Sequence, residues 1–76
     1  MNSSTDKATL LVAQALMLTP EEVSPDTALG ATPQWDSLAH MRLILSLEEY
    51  LGRQLNPEAI ISITTLSDVN NILAQT

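Results

Sequence analysis

The 76-residue chain contains no cysteine and no phenylalanine, and only two glycines, one tyrosine and one tryptophan, Trp35. Without cysteine there is no disulfide to staple a domain whose size lies near the limit at which one core offsets chain entropy, so helix packing has to supply the stability. Basic residues are scarce too. Lys7, Arg42 and Arg53 face nine acids (Asp6, Glu21, Glu22, Asp26, Asp36, Glu48, Glu49, Glu58 and Asp68), for a formal net charge of -6. That balance argues against nucleic acid as a partner, and leaves an acidic surface that either serves solubility or steers basic partner enzymes toward the chain. No run approaches the roughly 18 apolar residues of a membrane span, and the Met1-Asn2-Ser3-Ser4 start lacks the basic and apolar regions of a signal peptide. A cytoplasmic monomer with no membrane contact and no metal site is expected.

What the chain does have is helical periodicity. Ala8, Leu11, Val12, Ala15 and Leu16 recur at helical spacing, predicting a first helix entered through Ser3 or Ser4, with Asp6 in its first turn and an end near Leu18. Thr19 to Trp35 holds Pro20, Pro25, Gly30 and Pro33, too many breakers for a helix beyond one short turn at Thr19-Pro20-Glu21-Glu22. At about 17 residues this stretch is long for a connection, which predicts that it packs on the core or shapes a site, with Val23 and Leu29 as anchors. A second helix runs from Leu38 to Leu51 and ends at Gly52. Asn56-Pro57-Glu58 opens a short helix carrying Ile60, Ile61 and Ile63, and Thr65 with Asp68 caps a last one carrying Leu66, Val69, Ile72 and Leu73. The fold class is therefore all-α: three main helices and a short one, with a long loop between the first two.

On a wheel at about 100° per residue, the second helix has two apolar groups. His40, Leu43, Ile44, Leu47, Tyr50 and Leu51 form a broad arc suited to the core. Leu38, Met41 and Leu45 form a narrow stripe that stays partly exposed, while Arg42, Ser46, Glu49 and Arg53 fill the polar side.

The helix opens at Asp36-Ser37-Leu38. A helix start carries unpaired N–H groups and the positive end of the macrodipole, so a phosphate ester on Ser37 would be stabilised there. Asp and Ser are also the commonest N-caps, so the pair has a purely structural reading as well.

Four blocks in order resemble the acyl carrier protein family, which includes peptidyl and aminoacyl carrier domains: Val23-Ser24-Pro25-Asp26-Thr27-Ala28-Leu29, Asp36-Ser37-Leu38, Leu47-Glu48-Glu49-Tyr50-Leu51-Gly52 and Ile63-Thr64-Thr65-Leu66-Ser67-Asp68. The resemblance covers almost the whole chain and implies a single carrier domain over residues 1–76, folded as an acyl-carrier-protein-like four-helix bundle. It implies that Ser37 bears 4'-phosphopantetheine through a phosphodiester, and that Asp36 is recognised by the phosphopantetheinyl transferase. The arm's thiol would carry acyl, polyketide or aminoacyl groups as thioesters from a loading ligase or transferase to synthase enzymes. A chain without cysteine must obtain its thioester sulfur in this way. The resemblance also makes Leu38, Met41, Arg42 and Leu45 a docking surface for partner enzymes. Met is suited to that use by its adaptable side chain.

Two departures bear on the pathway. Carriers of fatty acid synthesis have an acidic start to this helix, whereas Ala39, His40 and Arg42 make this one less negative. Trp35 stands where a small residue is common. Trp-Asp-Ser-Leu-Ala-His-Met thus resembles stand-alone carriers of specialised pathways. Trp35 is read either as an aromatic closing the loop over the bundle or as a partner-binding anchor. His40, one turn beyond Ser37, is read as core-edge packing or as a contact to the phosphodiester rather than as a catalytic base. A helical adaptor that binds a partner helix through Leu38, Met41 and Leu45 is the reading from another class.

Overall fold

The computed structural model describes residues 3–75, with side chains described from Lys7 onward. Among the described residues four α-helices follow in order, α1 (Ser3–Leu16), α2 (Ser37–Leu51), α3 (Pro57–Ser62) and α4 (Leu66–Ala74), with a 3-10 turn at Pro20–Glu22. The expected cap at Ser3 or Ser4 and the role of Asp6 concern side chains outside the described residues.

Helix α1 stops at Leu16, two residues short of the expected end. Met17 takes a left-handed conformation with φ 60°. The Leu18 amide then reaches back to the Ala13 carbonyl at 2.8 Å and the Met17 amide to Gln14 at 3.3 Å. These two bonds satisfy carbonyls that the helix end would orphan, at the cost of a conformation usually reserved for glycine.

Helix α1 packs against both α2 and α4. Ala8, Leu11, Val12, Ala15 and Leu16 are all buried, as their spacing predicts, and so are Leu43, Ile44 and Leu47 of α2, and Val69 and Leu73 of α4. Two positions of α2 depart from the wheel. Tyr50 is 51 % exposed, and the Lys7 ammonium sits over its ring at 4.9 Å from the centroid. Ala39, too small to register in a hydropathy pattern, is fully buried.

The long loop does lie on the core, with Val23 and Leu29 packed against it. Its deepest residues, however, are Trp35 and Thr27. Backbone bonds join the loop to the entrance of α4: Leu29 amide to Thr64 carbonyl at 2.8 Å and Leu66 amide to Thr27 carbonyl at 3.3 Å. Helix α3 begins as its sequence predicts, Asn56 accepting from the Ala59 amide at 2.8 Å with Pro57 in the first turn. Ile61 there is 76 % exposed.

Candidate functional site

The start of α2 is held by Asp36, not by Ser37. The Asp36 backbone is extended and its carboxylate accepts from the Ala39 amide at 2.9 Å, while its carbonyl accepts from the His40 amide at 2.9 Å. Ser37 is the first helical residue, exposed, and its hydroxyl bonds to no described residue. The cap and the hydroxyl are therefore separate devices. Two other serines differ, the Ser24 hydroxyl accepting from the Asp26 amide at 3.2 Å and the Ser62 hydroxyl donating to the Ala59 carbonyl at 3.1 Å, whereas Ser67, like Ser37, is exposed.

Beside Ser37, Leu38, Met41 and Leu45 are 66 %, 56 % and 59 % exposed. The apolar stripe that the helical wheel left outside is thus on the surface, next to the serine. Arg42 follows the same helix but is partly buried, and its Nε donates to the Ala15 carbonyl at 2.9 Å, capping the C-terminus of α1. Its packing ties the α1 end to the α2 start, a use that spacing along one helix cannot show because the two residues are 27 apart.

Of the two readings of Trp35, its burial fits the aromatic that closes the loop over the bundle rather than a surface anchor. At 1 % exposure it is among the most buried side chains, since the loop folds its indole under the bundle where a partner cannot touch it. His40 is partly buried and both ring nitrogens are engaged, Nδ1 by the Trp35 indole N–H at 3.1 Å and Nε2 with the Ile60 carbonyl at 2.9 Å. In this arrangement neither nitrogen is offered to a group on Ser37 or to its hydroxyl proton. His40 thus packs at the core edge, on the protein's own loop and α3.

A cavity of about 410 Å³ lies at the other end of α2, lined by Leu45, Glu48, Glu49, Gly52, Arg53 and Gln54. Another of about 250 Å³ lies between α3 and α4, lined in part by Ala59, Ile63, Asp68 and Ile72. Neither includes Asp36, Ser37 or His40. Among the described residues no cluster of His, Asp and Glu is suited to hold a metal, and no helix is long and apolar enough to cross a membrane.

The fold is a small helical bundle with an exposed serine, Ser37, at the first residue of α2. The sequence model of the family described as "Phosphopantetheine attachment site" matches residues 7–72. An acyl carrier protein of Thermosynechococcus vestitus (strain NIES-2133 / IAM M-273 / BP-1) is 34 % identical over 64 residues, covering 84 % of this chain and 79 % of that protein. The chain belongs to the acyl carrier protein family, whose members carry covalently attached 4'-phosphopantetheine and are themselves non-catalytic carriers.

Proposed function

We propose that Ser37 is the attachment residue, and that the protein presents thioester-bound acyl or aminoacyl groups to partner enzymes of a specialised biosynthetic pathway. The observation that carries this reading is the exposed, unbonded Ser37 hydroxyl on the first residue of α2. Asp36 already caps the helix, so a substituent on Ser37 displaces no structural bond. The helix start favours the negative charge of a phosphodiester, and the residues present fit the group. When bound, 4'-phosphopantetheine supplies the thiol that this cysteine-free chain lacks.

Asp36 holds the helix start in place for the phosphopantetheinyl transferase. Leu38, Met41 and Leu45 form the surface on which the transferase, a loading ligase or transferase and a synthase enzyme dock, with Met41 adapting to more than one of them. The pathway assignment is supported by the first turn of α2, which contains no acidic residue. Electrostatic steering toward the basic docking sites of fatty acid synthesis enzymes is correspondingly weaker here.

Intact-mass analysis after incubation with coenzyme A and a broad-specificity transferase tests the proposal. One phosphopantetheinyl group is expected on the wild type and none on Ser37→Ala. An unchanged wild-type mass, with the transferase active on a control carrier, overturns the carrier reading and favours the adaptor. Addition at another serine overturns the site. For the docking surface, Met41→Glu is expected to keep helical circular dichroism and thermal midpoint while slowing transfer. Unfolding of that variant would show that this face is core.

A further inference from the structure

His40 is the chain's single histidine, and its two ring contacts constrain its chemistry. An indole N–H only donates and a carbonyl oxygen only accepts, so Nδ1 holds a lone pair toward Trp35 and Nε2 holds the proton toward Ile60. The two neighbours select the same neutral tautomer independently. The rings also lie against each other, with centroids 6.2 Å apart and planes 30° apart. Through this one imidazole, the residue two positions before Ser37 is tied to both α2 and α3.

We propose that His40 is a positioning residue: its neutral imidazole holds Trp35, and with it the chain entering Asp36-Ser37, against the bundle, and a proton taken up at Nδ1 releases that hold. The bearing on Ser37 rests on reading Ser37 as the attachment residue; the tie itself does not. The imidazolium donates from both nitrogens. Its Nε2 can keep the Ile60 carbonyl, but its Nδ1 proton meets the Trp35 N–H, donor against donor. Trp35 is 1 % exposed, so its N–H is left without water or acceptor, and either the indole or the imidazole has to shift. The tied form holds one proton fewer than the released form. It is therefore favoured as pH rises and lost as pH falls.

Toward the far end of α2 the Glu48 carboxylate accepts from the Leu55 amide at 2.9 Å and Glu49 is exposed, which leaves three charged groups nearer the site. On α2 the Asp36 carboxylate accepts from the Ala39 amide and the Arg42 Nε donates to the Ala15 carbonyl. On α3, Glu58 is exposed, and none of the three forms an ion pair with His40.

The test uses the unmodified full chain, so its outcome is independent of phosphopantetheine loading. NMR follows the Trp35 indole N–H protection factor, corrected for intrinsic exchange, and the His40 ring titration in the same samples. Protection is expected to fall by roughly tenfold or more with the midpoint of the His40 titration, the scale set by leaving one buried donor unsatisfied. In His40→Gln, whose amide can accept from Trp35 and donate to Ile60 without titrating, the protection is expected to be independent of pH. A His40→Gln protection profile that falls as in the wild type overturns the proposal. So does a wild-type ring that titrates with no change at Trp35.

Discussion

Helices α2 and α4 both begin with an acidic and a hydroxyl residue, yet the two starts are used in opposite ways. At α4 the capping pair, Thr65 and Asp68, is turned on the backbone, while the Ser67 hydroxyl one residue into the helix stays exposed. Thr65 accepts from the Asp68 amide at 3.1 Å, and the Asp68 carboxylate accepts from the Thr64 and Thr65 amides at 3.0 and 3.2 Å. The loop then closes over this joint through the Leu29 to Thr64 and Leu66 to Thr27 backbone bonds. At α2 one carboxylate takes one amide and the adjacent hydroxyl bonds to nothing described. A helix start becomes a structural joint when its donors are consumed, and a site for an incoming anion when donors and a nucleophile are left over.

The largest effect that separates the two starts is on modification. Ser37→Ala is expected to abolish phosphopantetheine addition with little change in thermal midpoint, because the cap belongs to Asp36. Ser67→Ala, in the first turn of α4, is expected to load as the wild type does. Intact mass reads both, and loading that survives Ser37→Ala but not Ser67→Ala would invert the comparison.

Next comes packing. Leu73 on α4 is 5 % exposed and Met41 on α2 is 56 % exposed. Leu73→Ala is expected to lose about 2–5 kcal/mol in denaturant titration, a large share of the stability of a domain this small, whereas Met41→Ala should stay within about 0.5 kcal/mol. Equal losses would show that the α2 stripe is packed rather than presented.

Caps are smaller. Thr65→Ala and Asp36→Ala are each expected to lose about 0.5–2 kcal/mol by the same titration. Asp36→Ala should in addition slow loading by the transferase, and Thr65→Ala should not.

The smallest effect is a pH dependence confined to the α4 joint. The Thr64 backbone bond, with further bonds from Thr65 and the Thr64 hydroxyl, holds the Asp68 carboxyl below its ordinary value against the opposing effect of burial. A carboxyl with a lowered folded-state value stabilises the fold at pH above the ordinary carboxylate range, and loses that contribution as pH falls through the lowered value. The difference in thermal midpoint between wild type and Asp68→Asn should therefore be widest near neutrality and shrink in acid. A difference that stays constant with pH would remove the carboxylate charge from the account of the joint.

Much of this protein was legible in its residues, because helix starts, helix ends and the faces of a helix are local matters. Spacing of three and four residues places Leu38, Met41 and Leu45 on one line, and the same spacing sends Leu43 and Leu47 the other way. Asn56-Pro57, Gly52 and Thr65 with Asp68 mark boundaries by their own backbone chemistry, and four ordered blocks point to the family. Which residue caps α2 was less legible, since Asp36 and Ser37 are both good caps and only the backbone shows which of them is extended. What tertiary structure alone decided are the contacts between distant positions. Arg42 meets Ala15, Trp35 lies under the bundle on His40, and His40 reaches Ile60. Tyr50, apolar by pattern, ends in solvent. A periodic pattern fixes the direction of a side chain from its own helix axis, whereas burial and partner depend on which other segment occupies that direction, and this is determined only when the helices and the long loop pack together.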